Sequence, residues 1–221
     1  MSQKMSSRSS LATIAIVVLA AGRSARMHMG SSHKLLALFD GVPLARRVTL
    51  RATESMAHQV IVVIGHRADD IERSLSGIKA SIIRNVEYLG GMSTSIAAGL
   101  QHPSVKAADG IMIVLADMPN VTTEHLNLLI SEFWRMEANA IVRATANGEA
   151  GNPVIFPRST YGQLLKLSGD KGARALIREL GLEIRDVEIG AAASIDVDNQ
   201  GDLADAGGIP ENMHLTTVST R

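Results

Sequence analysis

The sequence predicts an α/β protein built on a mainly parallel sheet. Runs of apolar, largely β-branched residues recur along the chain, and the longest, over residues 14–21, contains no polar residue. Such unbroken runs are typical of strands that are buried on both faces. Segments with apolar residues at helical spacing lie between the runs, and strands that alternate with helices give a mainly parallel sheet.

The length of the chain and the polarity of its ends indicate one domain. The chain has 221 residues and shows no internal repeat or convincing linker. We expect a polar, serine-rich and disordered segment over residues 1–12, a single domain over residues 13–206 and a loose tail over residues 207–221.

Composition argues against several classes of protein. The 22 basic and 22 acidic side chains balance, and only 3% of the residues are aromatic, which argues against nucleic acid as a partner. The chain has no cysteine, so disulfides, cysteine-based metal sites and cysteine nucleophiles are excluded.

The N-terminal region resembles a secretory signal, because Lys4 and Arg8 precede the apolar residues 11–21. The run leads into Arg23 and Arg26 rather than a small-residue cleavage site, and it forms the best strand of the sequence. No other run approaches the roughly 20 apolar residues that cross a bilayer. We therefore expect a cytoplasmic protein with no membrane partner.

The individual elements follow from apolar periodicity and from residues that start or stop helices. Strands are predicted near residues 14–20, 60–64, 82–86, 111–116, 140–144, 152–156 and 183–189. Pro153 places the sixth strand at a sheet edge or at its own start, because proline cannot donate to a strand ladder. Helices are predicted after Pro43, over residues 68–75, after N-caps at Ser93 and Thr122, and over residues 172–180 and 200–206.

The segment after the first strand has the composition of an anion-binding loop. Gly22 ends the strand, and Arg23, Arg26 and Lys34 add positive charge at its carboxyl end, where open parallel sheets bind ligands. The segment matches neither a Walker A loop nor the G-x-G-x-x-G dinucleotide pattern. From these residues alone, a phosphate site and a surface loop with solvated arginines are similarly good interpretations.

Acidic residues follow two later apolar segments. Asp117 follows the fourth predicted strand, and Asp198 ends a short extended piece over residues 195–198. Carboxylates beside phosphates are typical ligands of Mg²⁺, and Asp196 is a further candidate. Asp117 is alternatively a turn residue before a proline, and Asp198 is alternatively the N-cap of the next helix.

Smaller polar groups mark candidate second sites. Ser93, Thr94 and Ser95 follow two glycines at a predicted helix N-terminus, which suits a phosphate or a ribose. Asn152 and Lys171 are candidates for a second ligand, although a solvated loop is the better interpretation from the residues alone. The seven histidines show no metal-ligand spacing and are expected at the surface.

Six short motifs occur in an order that resembles a known family. They are LAAGRSARM…KLL at 19–36, GMSTSIAAGL at 91–100, LADMP at 115–119, GNPVIF at 151–156, GDKGAR at 169–174 and DVDNQGDL at 196–203. Over residues 13–206 the chain resembles the MobA-like NTP transferases, and among them most closely the molybdenum-cofactor cytidylyltransferases. The family usually has glycine directly after the Arg-Met pair, whereas His28 and Met29 intervene here and lengthen the loop.

The resemblance implies a Rossmann-like, three-layer α/β/α fold of the nucleotide-diphospho-sugar transferase type. It implies an Mg²⁺-dependent enzyme that joins a nucleoside monophosphate to an acceptor phosphate and releases pyrophosphate. By the same resemblance, Lys34, Arg26 and Asp117 are catalytic, and Asp117 and Asp198 hold the metal. The implied nucleotide-binding residues are Leu19, Ala20, Ala21, Gly22, Gly91, Ser93 and Ser95, and the implied acceptor-binding residues are Asn152 and Lys171.

The LAAG form of the first motif, with Ala21 rather than a glycine, is typical of family members that use CTP. We therefore expect transfer of CMP to a molybdopterin-type cofactor, with a molybdoenzyme or its chaperone as a candidate protein partner. Transfer of GMP or another nucleotide to a sugar or polyol phosphate is the alternative within this class. A non-catalytic nucleotide- or cofactor-binding chaperone is the alternative outside it, and the presence of both Lys34 and Asp117 argues against that alternative.

Overall fold

A seven-stranded sheet forms the centre of the structure, a computed structural model that describes residues 11–23, 33–169 and 176–211. In chain order the strands are β1 (Ile14–Ala20), β2 (Leu38–Phe39), β3 (Val42–Pro43), β4 (Gln59–Ile64), β5 (Ser81–Arg84), β6 (Gly110–Leu115), β7 (Ile141–Ala146), β8 (Glu149–Pro157) and β9 (Ile184–Glu188). The sheet order is β5-β4-β1-β6-β8-β7-β9, and β2 and β3 form a separate hairpin. Only β8 runs against its neighbours in the sheet, so the predicted mainly parallel sheet is confirmed.

Helices cover both faces of the sheet. They are α1 (Leu44–Thr53), α2 (Ala68–Ser74), α3 (Met92–Gln101), α4 (Pro103–Ala107), α5 (Thr123–Arg135), α6 (Tyr161–Leu164) and α7 (Gln200–Asp205). Apolar residues of α1, α2 and α5 pack on one face, and those of α3, α4 and α6 pack on the other. The three-layer α/β/α prediction is therefore confirmed. The predicted helix over residues 172–180 begins outside the described residues.

The apolar run of β1 supplies core residues to both faces. Ile16 and Val18 belong to one apolar cluster, and Ala15 and Val17 belong to the other. Val17 also lies against α3 so closely that a Cβ atom on Gly99 would come within 2.6 Å of it. Glycine at this position lets α3 lie directly on β1, and this contact fixes the N-terminus of α3 near the carboxyl end of the strand.

The position of β8 corrects the expectation of an edge strand. β8 lies between β6 and β7, and it begins at Glu149, four residues before Pro153. The pairing of β7 with β8 is irregular between Arg143 and Thr145, opposite Pro153. Proline is tolerated inside a sheet at such an irregularity, because the missing N–H leaves no ladder bond unmade.

Two local expectations around α3 also need correction. The N-cap is Gly91 rather than Ser93, which lies in the first turn with its side chain buried. The third strand ends at Arg84, so Val86 is not part of it and is 87% exposed. Asn85 ends the strand, because its side chain turns inward and donates to the Ser95 hydroxyl (3.1 Å).

Residues next to both ends of the predicted domain form hydrogen bonds or ion pairs with it. In the expected loose tail, residues 207–211 are packed on the domain: Ile209 exchanges backbone hydrogen bonds with Leu38, and Glu211 forms an ion pair with Arg67. At the other end, the Trp134 indole N–H donates to the Ala12 carbonyl oxygen (2.8 Å). Residues 1–10 and 212–221 lie outside the described residues. Among the described helices, none has the length and apolar character needed to cross a membrane.

Candidate active site

A cavity of about 560 Å³ opens at the carboxyl ends of β1 and β6. Apart from Leu35 and Leu115, its lining falls into three walls, which we name the glycine wall, the helix wall and the charged wall. The glycine wall is Leu19, Ala21, Gly22 and Arg23; the helix wall is Gly91, Met92 and Ser95; the charged wall is Lys34, Asp117, Asp196 and Asp198. This is the edge at which parallel sheets bind ligands.

Lys34 is the centre of the charged wall. Its ammonium Nζ donates to Asp117 Oδ2 (2.6 Å) and to Asp198 Oδ1 (2.9 Å). Burial of this side chain, which is 11% exposed, lowers the pKa of Lys34, but Asp117 and Asp198 outweigh burial and hold it above its usual value. Lys34 therefore carries a positive charge that is buried and shared between two carboxylates.

The backbone explains why these three residues meet. Lys34 begins a short 3₁₀ helix whose next residues, Leu35 and Leu36, are buried in the core. Asp117 lies two residues after β6, and its carbonyl oxygen accepts from the Val197 N–H (2.9 Å). This bond brings the segment with Asp196 and Asp198 to the end of β6.

The N-cap of α7 is a residue other than Asp198, whose side chain contacts Lys34 in the charged wall. Asn199 is the N-cap, and its side chain accepts from the Asp202 N–H. Asp202 in turn accepts from the backbone N–H groups of Asp198 and Asn199. The alternative in which Asp198 only caps this helix is therefore wrong.

The three carboxylates of the charged wall have the donor set of a divalent cation site. One oxygen of each of Asp117, Asp196 and Asp198 lies within 4.8 Å of the others. Burial, together with Asp117 and Asp198, raises the pKa of Asp196. Within the described part of the chain, Asp117 Oδ1 is buried with no hydrogen-bond partner. Hard divalent cations prefer such oxygen ligands, so the residues fit a metal of this type.

The helix wall presents the N-terminus of α3. Gly91 has φ 94° and ψ −178°, a conformation that is accessible almost only to glycine. This conformation lets the backbone turn directly into α3, a helix of ten residues whose first N–H groups favour anions. Ser95 is buried beneath this end of the helix.

Two histidines that do not line the cavity contact backbone carbonyls of the glycine wall. The Ala21 carbonyl oxygen accepts from the His66 backbone N–H (3.2 Å), and the Gly22 carbonyl oxygen contacts His33 Nε2 (3.1 Å). Ala21 also lies close to Gly65, where an added Cβ would come within 2.9 Å of the alanine methyl group. The cavity therefore combines a wall whose backbone is held by hydrogen bonds with a wall centred on the Lys34 charge.

A family model describes this combination of fold and motifs. The model of the MobA-like NTP transferase domain matches residues 16–184. The chain belongs to this family. The family resemblance of its motifs is thereby confirmed.

Curated relatives of this MobA-like NTP transferase domain match it over only part of their own length. The purine catabolism protein PucB of Bacillus subtilis (strain 168) is 28% identical over 115 residues, or 52% of this chain and 51% of PucB. The bifunctional protein GlmU of Streptococcus gordonii is 30% identical over 161 residues, or 71% of this chain and 33% of GlmU. The matched regions therefore span about half of PucB and a third of GlmU.

A similar solved structure is that of Rv0371C from Mycobacterium tuberculosis H37Rv, determined in complex with manganese. It is 25% identical, with a TM-score of 0.72, over 88% of this chain and 97% of that chain. A divalent metal is therefore found in a related structure of this fold. The charged wall of the present chain has three carboxylates that could hold such a metal.

The structure brings most of the sequence-predicted residues of this MobA-like domain to the cavity. Those that line it are Leu19, Ala21, Gly22, Lys34, Gly91, Ser95, Asp117 and Asp198. Ala20 is buried on the other face of the sheet, and Ser93 is buried within α3, so neither lines the cavity. Asn152, on β8, does not line it either, while Arg26 and Lys171 lie outside the described residues.

His33 contacts the backbone of the glycine wall, and no sequence pattern indicated this contact. The expectation of a surface position is wrong for this histidine, whose relative exposure is 2%. A single histidine next to a lysine has no spacing or periodicity that distinguishes it from a surface residue. The only sequence signal is its position directly before Lys34, which ties it to the same local structure.

Proposed function

We propose that the chain is a nucleotidyltransferase that transfers CMP from CTP to the phosphate of a molybdopterin-type cofactor and releases pyrophosphate. The observation that carries this proposal is the charged wall. It places a buried ammonium between two carboxylates beside a glycine turn and a helix N-terminus. Family membership supports the choice of nucleotidyl transfer over other reactions at such a site.

The charge arrangement suits a polyphosphate substrate. The N–H groups of Gly22 and Arg23 in the glycine wall and the positive end of the α3 dipole in the helix wall would favour phosphate oxygens. Lys34 adds a full positive charge where the substrate meets Asp117 and Asp198. Phosphoryl-type transfers need mainly positioning and charge neutralisation from the protein, which these groups supply.

The reaction that we propose forms one bond and breaks one bond at the α-phosphorus. An oxygen of the acceptor phosphate attacks the α-phosphorus of CTP, the bond from this phosphorus to the bridging oxygen breaks, and pyrophosphate leaves with that oxygen. The attacking phosphate is already anionic, so no residue has to remove a proton. This explains why the described cavity can act without a histidine–aspartate pair.

Asp117 and Asp198, with Asp196 beside them, would hold the metal that the family reaction requires. We propose Mg²⁺, which usually binds through one or two carboxylates plus substrate phosphates. When bound, such a cation withdraws charge from the phosphoryl oxygens. The buried and unpartnered Asp117 Oδ1 supports Asp117 as the principal ligand.

The proposed choice of CTP rests on Ala21. Ala21 belongs to the glycine wall and lines the cavity. We propose that it favours the smaller pyrimidine base over a purine. Asn152, Lys171 and Arg26 remain proposed contacts, the first two to the acceptor and the third to the triphosphate. A molybdoenzyme or its chaperone is the proposed recipient of the product, in the cytoplasm.

Pyrophosphate release tests the proposal directly. Purified protein, Mg²⁺ and a molybdopterin-type acceptor are incubated with CTP, GTP, ATP or UTP, and the nucleotide product is identified by mass. We expect release with CTP and formation of a cytidine dinucleotide of the acceptor. Omission of the acceptor is the control, because simple hydrolysis of CTP would then continue.

Other outcomes separate the alternatives. Release with GTP in place of CTP would contradict the assignment of Ala21 but retain the reaction. Release only when a sugar or polyol phosphate is supplied would replace the acceptor. Binding of CTP with no release for any acceptor would favour a non-catalytic nucleotide-binding protein and reject the proposed activity.

A further inference from the structure

We propose that His33 is a positioning residue that holds the Gly22 carbonyl away from the cavity and links the glycine wall to Lys34. This inference rests on the proposed function, because it assigns His33 to the nucleotide site. Among the described residues, His33 does not line the cavity, so it would act through the backbone of Gly22.

Both ring nitrogens of His33 face backbone groups. Nε2 lies 3.1 Å from the Gly22 carbonyl oxygen, which can only accept a hydrogen bond. Nδ1 lies 3.4 Å from the Leu35 N–H, which can only donate. The two contacts together specify a neutral ring with its proton on Nε2, which donates to Gly22.

The surroundings of His33 keep the ring neutral. It is buried, its ring stacks on the His66 ring at a centroid distance of 5.3 Å, and His66 in turn lies 6.3 Å from the Tyr88 ring. Burial, aided by His66, Arg67 and Lys34 and opposed by the Gly22 hydrogen bond, lowers the pKa of His33 to about 4. A charged ring would carry protons on both nitrogens and would lose the acceptor for Leu35.

The carbonyl contacts determine the direction of the neighbouring N–H groups. A peptide unit is planar and trans, so its N–H points opposite to its carbonyl. His66 holds the Ala21 carbonyl, and His33 holds the Gly22 carbonyl. Neither histidine lines the cavity, whereas Gly22 and Arg23 do. The N–H groups of Gly22 and Arg23 are therefore turned toward the cavity side.

The contact of His33 with the Gly22 carbonyl, which we name the clamp, is connected to the charged wall through the chain. His33 precedes Lys34 directly, and the Leu35 N–H anchors the His33 ring to the first turn of the same 3₁₀ helix. One residue thus holds the glycine wall and the next holds two carboxylates. Loss of the clamp would let the Gly22 carbonyl turn toward bound phosphates, which would weaken nucleotide binding more than the transfer step.

Three substitutions separate the contacts of His33. His33→Gln keeps a side-chain N–H donor at the distance of Nε2. His33→Asn keeps an acceptor for Leu35 but removes the donor to Gly22, and His33→Phe removes both. The matched control is His102→Asn, because His102 Nδ1 accepts from the Ser104 N–H (3.3 Å) with the same geometry at the start of α4.

Calorimetric titration with CTP and steady-state pyrophosphate release measure the effect. We expect His33→Asn and His33→Phe to bind CTP about tenfold more weakly, with kcat within about twofold of wild type, and His33→Gln to bind within about threefold. His102→Asn should bind CTP as wild type does. Equal weakening in all three His33 variants, or none in any, would overturn the inference.

Nitrogen-15 NMR of the wild-type histidine side chains tests the clamp without nucleotide or turnover. The inference requires His33 to be neutral with its proton on Nε2 near pH 6. A charged ring, or a proton on Nδ1, would overturn it even if the protein transfers nucleotides. If wild type neither binds nor turns over any nucleotide, the proposed function fails while the NMR result still decides the clamp.

Discussion

The glycine wall and the charged wall of the cavity are held in place by opposite means. The charged wall depends on a buried ammonium with two carboxylates, at 2.6 and 2.9 Å. The glycine wall depends on backbone carbonyls held by a neutral ring and a backbone N–H, at 3.1 and 3.2 Å. The neighbouring residues His33 and Lys34 therefore serve the same cavity in different protonation states.

Because the two walls are stabilised differently, we expect each wall to respond to a different kind of substitution or condition. The charged wall concentrates full charges, so neutralising one of them should change catalysis far more than folding. The Gly22 carbonyl of the glycine wall is held by His33, which is neutral, so this wall should respond to the geometry of the backbone and to protonation of His33. The predictions below test this division.

Asp117→Asn should give the largest effect, because it removes a full charge from the charged wall and keeps the shape of the side chain. We expect kcat/KM for pyrophosphate release to fall by about 10³-fold, or about 4 kcal/mol. Thermal unfolding should change little, because Asp198 still pairs with Lys34.

Asp186→Asn is the control for this substitution. Asp186 pairs with Arg143 at a partly exposed position on β9 and β7, away from the cavity lining. Its variant should release pyrophosphate at the wild-type rate. Near-wild-type turnover by Asp117→Asn would reject the role of Asp117 and with it the division between the walls.

The free energy of unfolding should fall in mild acid, because His33 is buried in its neutral form. Burial, aided by His66, lowers the pKa of His33 from 6.5 to about 4, so below pH 6.5 the unfolded chain binds a proton that the folded chain excludes. The free energy of unfolding should therefore fall as the pH falls from 6.5 toward 4. This residue should contribute a loss of about 2 kcal/mol between about pH 7.5 and about pH 5.

Urea unfolding of wild type and His33→Asn at these two pH values isolates this contribution. The variant cannot titrate at this position, so it should show a correspondingly smaller loss of stability in acid. His102→Asn should retain the wild-type dependence if the effect belongs to His33. The same acid sensitivity in His33→Asn and wild type would show that His33 is not buried in its neutral form.

The smallest expected effect is on metal affinity, where Lys34→Met should give a gain rather than a loss. The Lys34 ammonium occupies the space between Asp117 and Asp198, which are the proposed metal ligands, so it competes with a metal for their oxygens. Without nucleotide, Mn²⁺ should bind Lys34→Met about tenfold more tightly than wild type. Electron paramagnetic resonance of free Mn²⁺ measures this affinity.

The exposed Lys106 provides the matched substitution, because it lies on α4 away from the cavity lining. Lys106→Met should leave Mn²⁺ affinity unchanged. Unchanged or weaker binding by Lys34→Met would mean that Lys34 supports the metal ligands instead of competing for them. Pyrophosphate release by the same variant should fall, since the positive charge for the triphosphate is lost.

The sequence was sufficient to predict the parallel sheet and much of the charged wall. Apolar runs identify buried strands, and the carboxyl ends of parallel strands meet at one edge, which brings Lys34 and Asp117 together. The antiparallel position of β8 could not be predicted in this way, because it depends on pairing between segments that are distant in the chain. Pro153 favoured an edge, whereas the irregular pairing with β7 accommodates it in the interior.

The site residues that escaped prediction depend on side-chain direction. Ala20 was grouped with its neighbours from the motif, yet alternation along β1 turns its side chain to the opposite face. Ser93 was predicted to be a helix cap, but Gly91 is the N-cap and the helix begins at Met92, so Ser93 lies inside it. His33 carries no pattern at all, because its importance arises from contacts to backbone atoms at Gly22 and Leu35.

The hydrogen bond from Trp134 to Ala12 makes this protein convenient for optical work. Trp134 is the single tryptophan of the chain, and it lies at the start of β1, whereas the cavity lies at the other end. The seven residues of β1 separate the two by roughly 23 Å. Tryptophan fluorescence therefore follows the detachment of α5 from the sheet, and Trp134 lies away from the cavity lining. A shift of the fluorescence melting midpoint by a ligand would thus measure linkage between binding and folding, free of direct quenching.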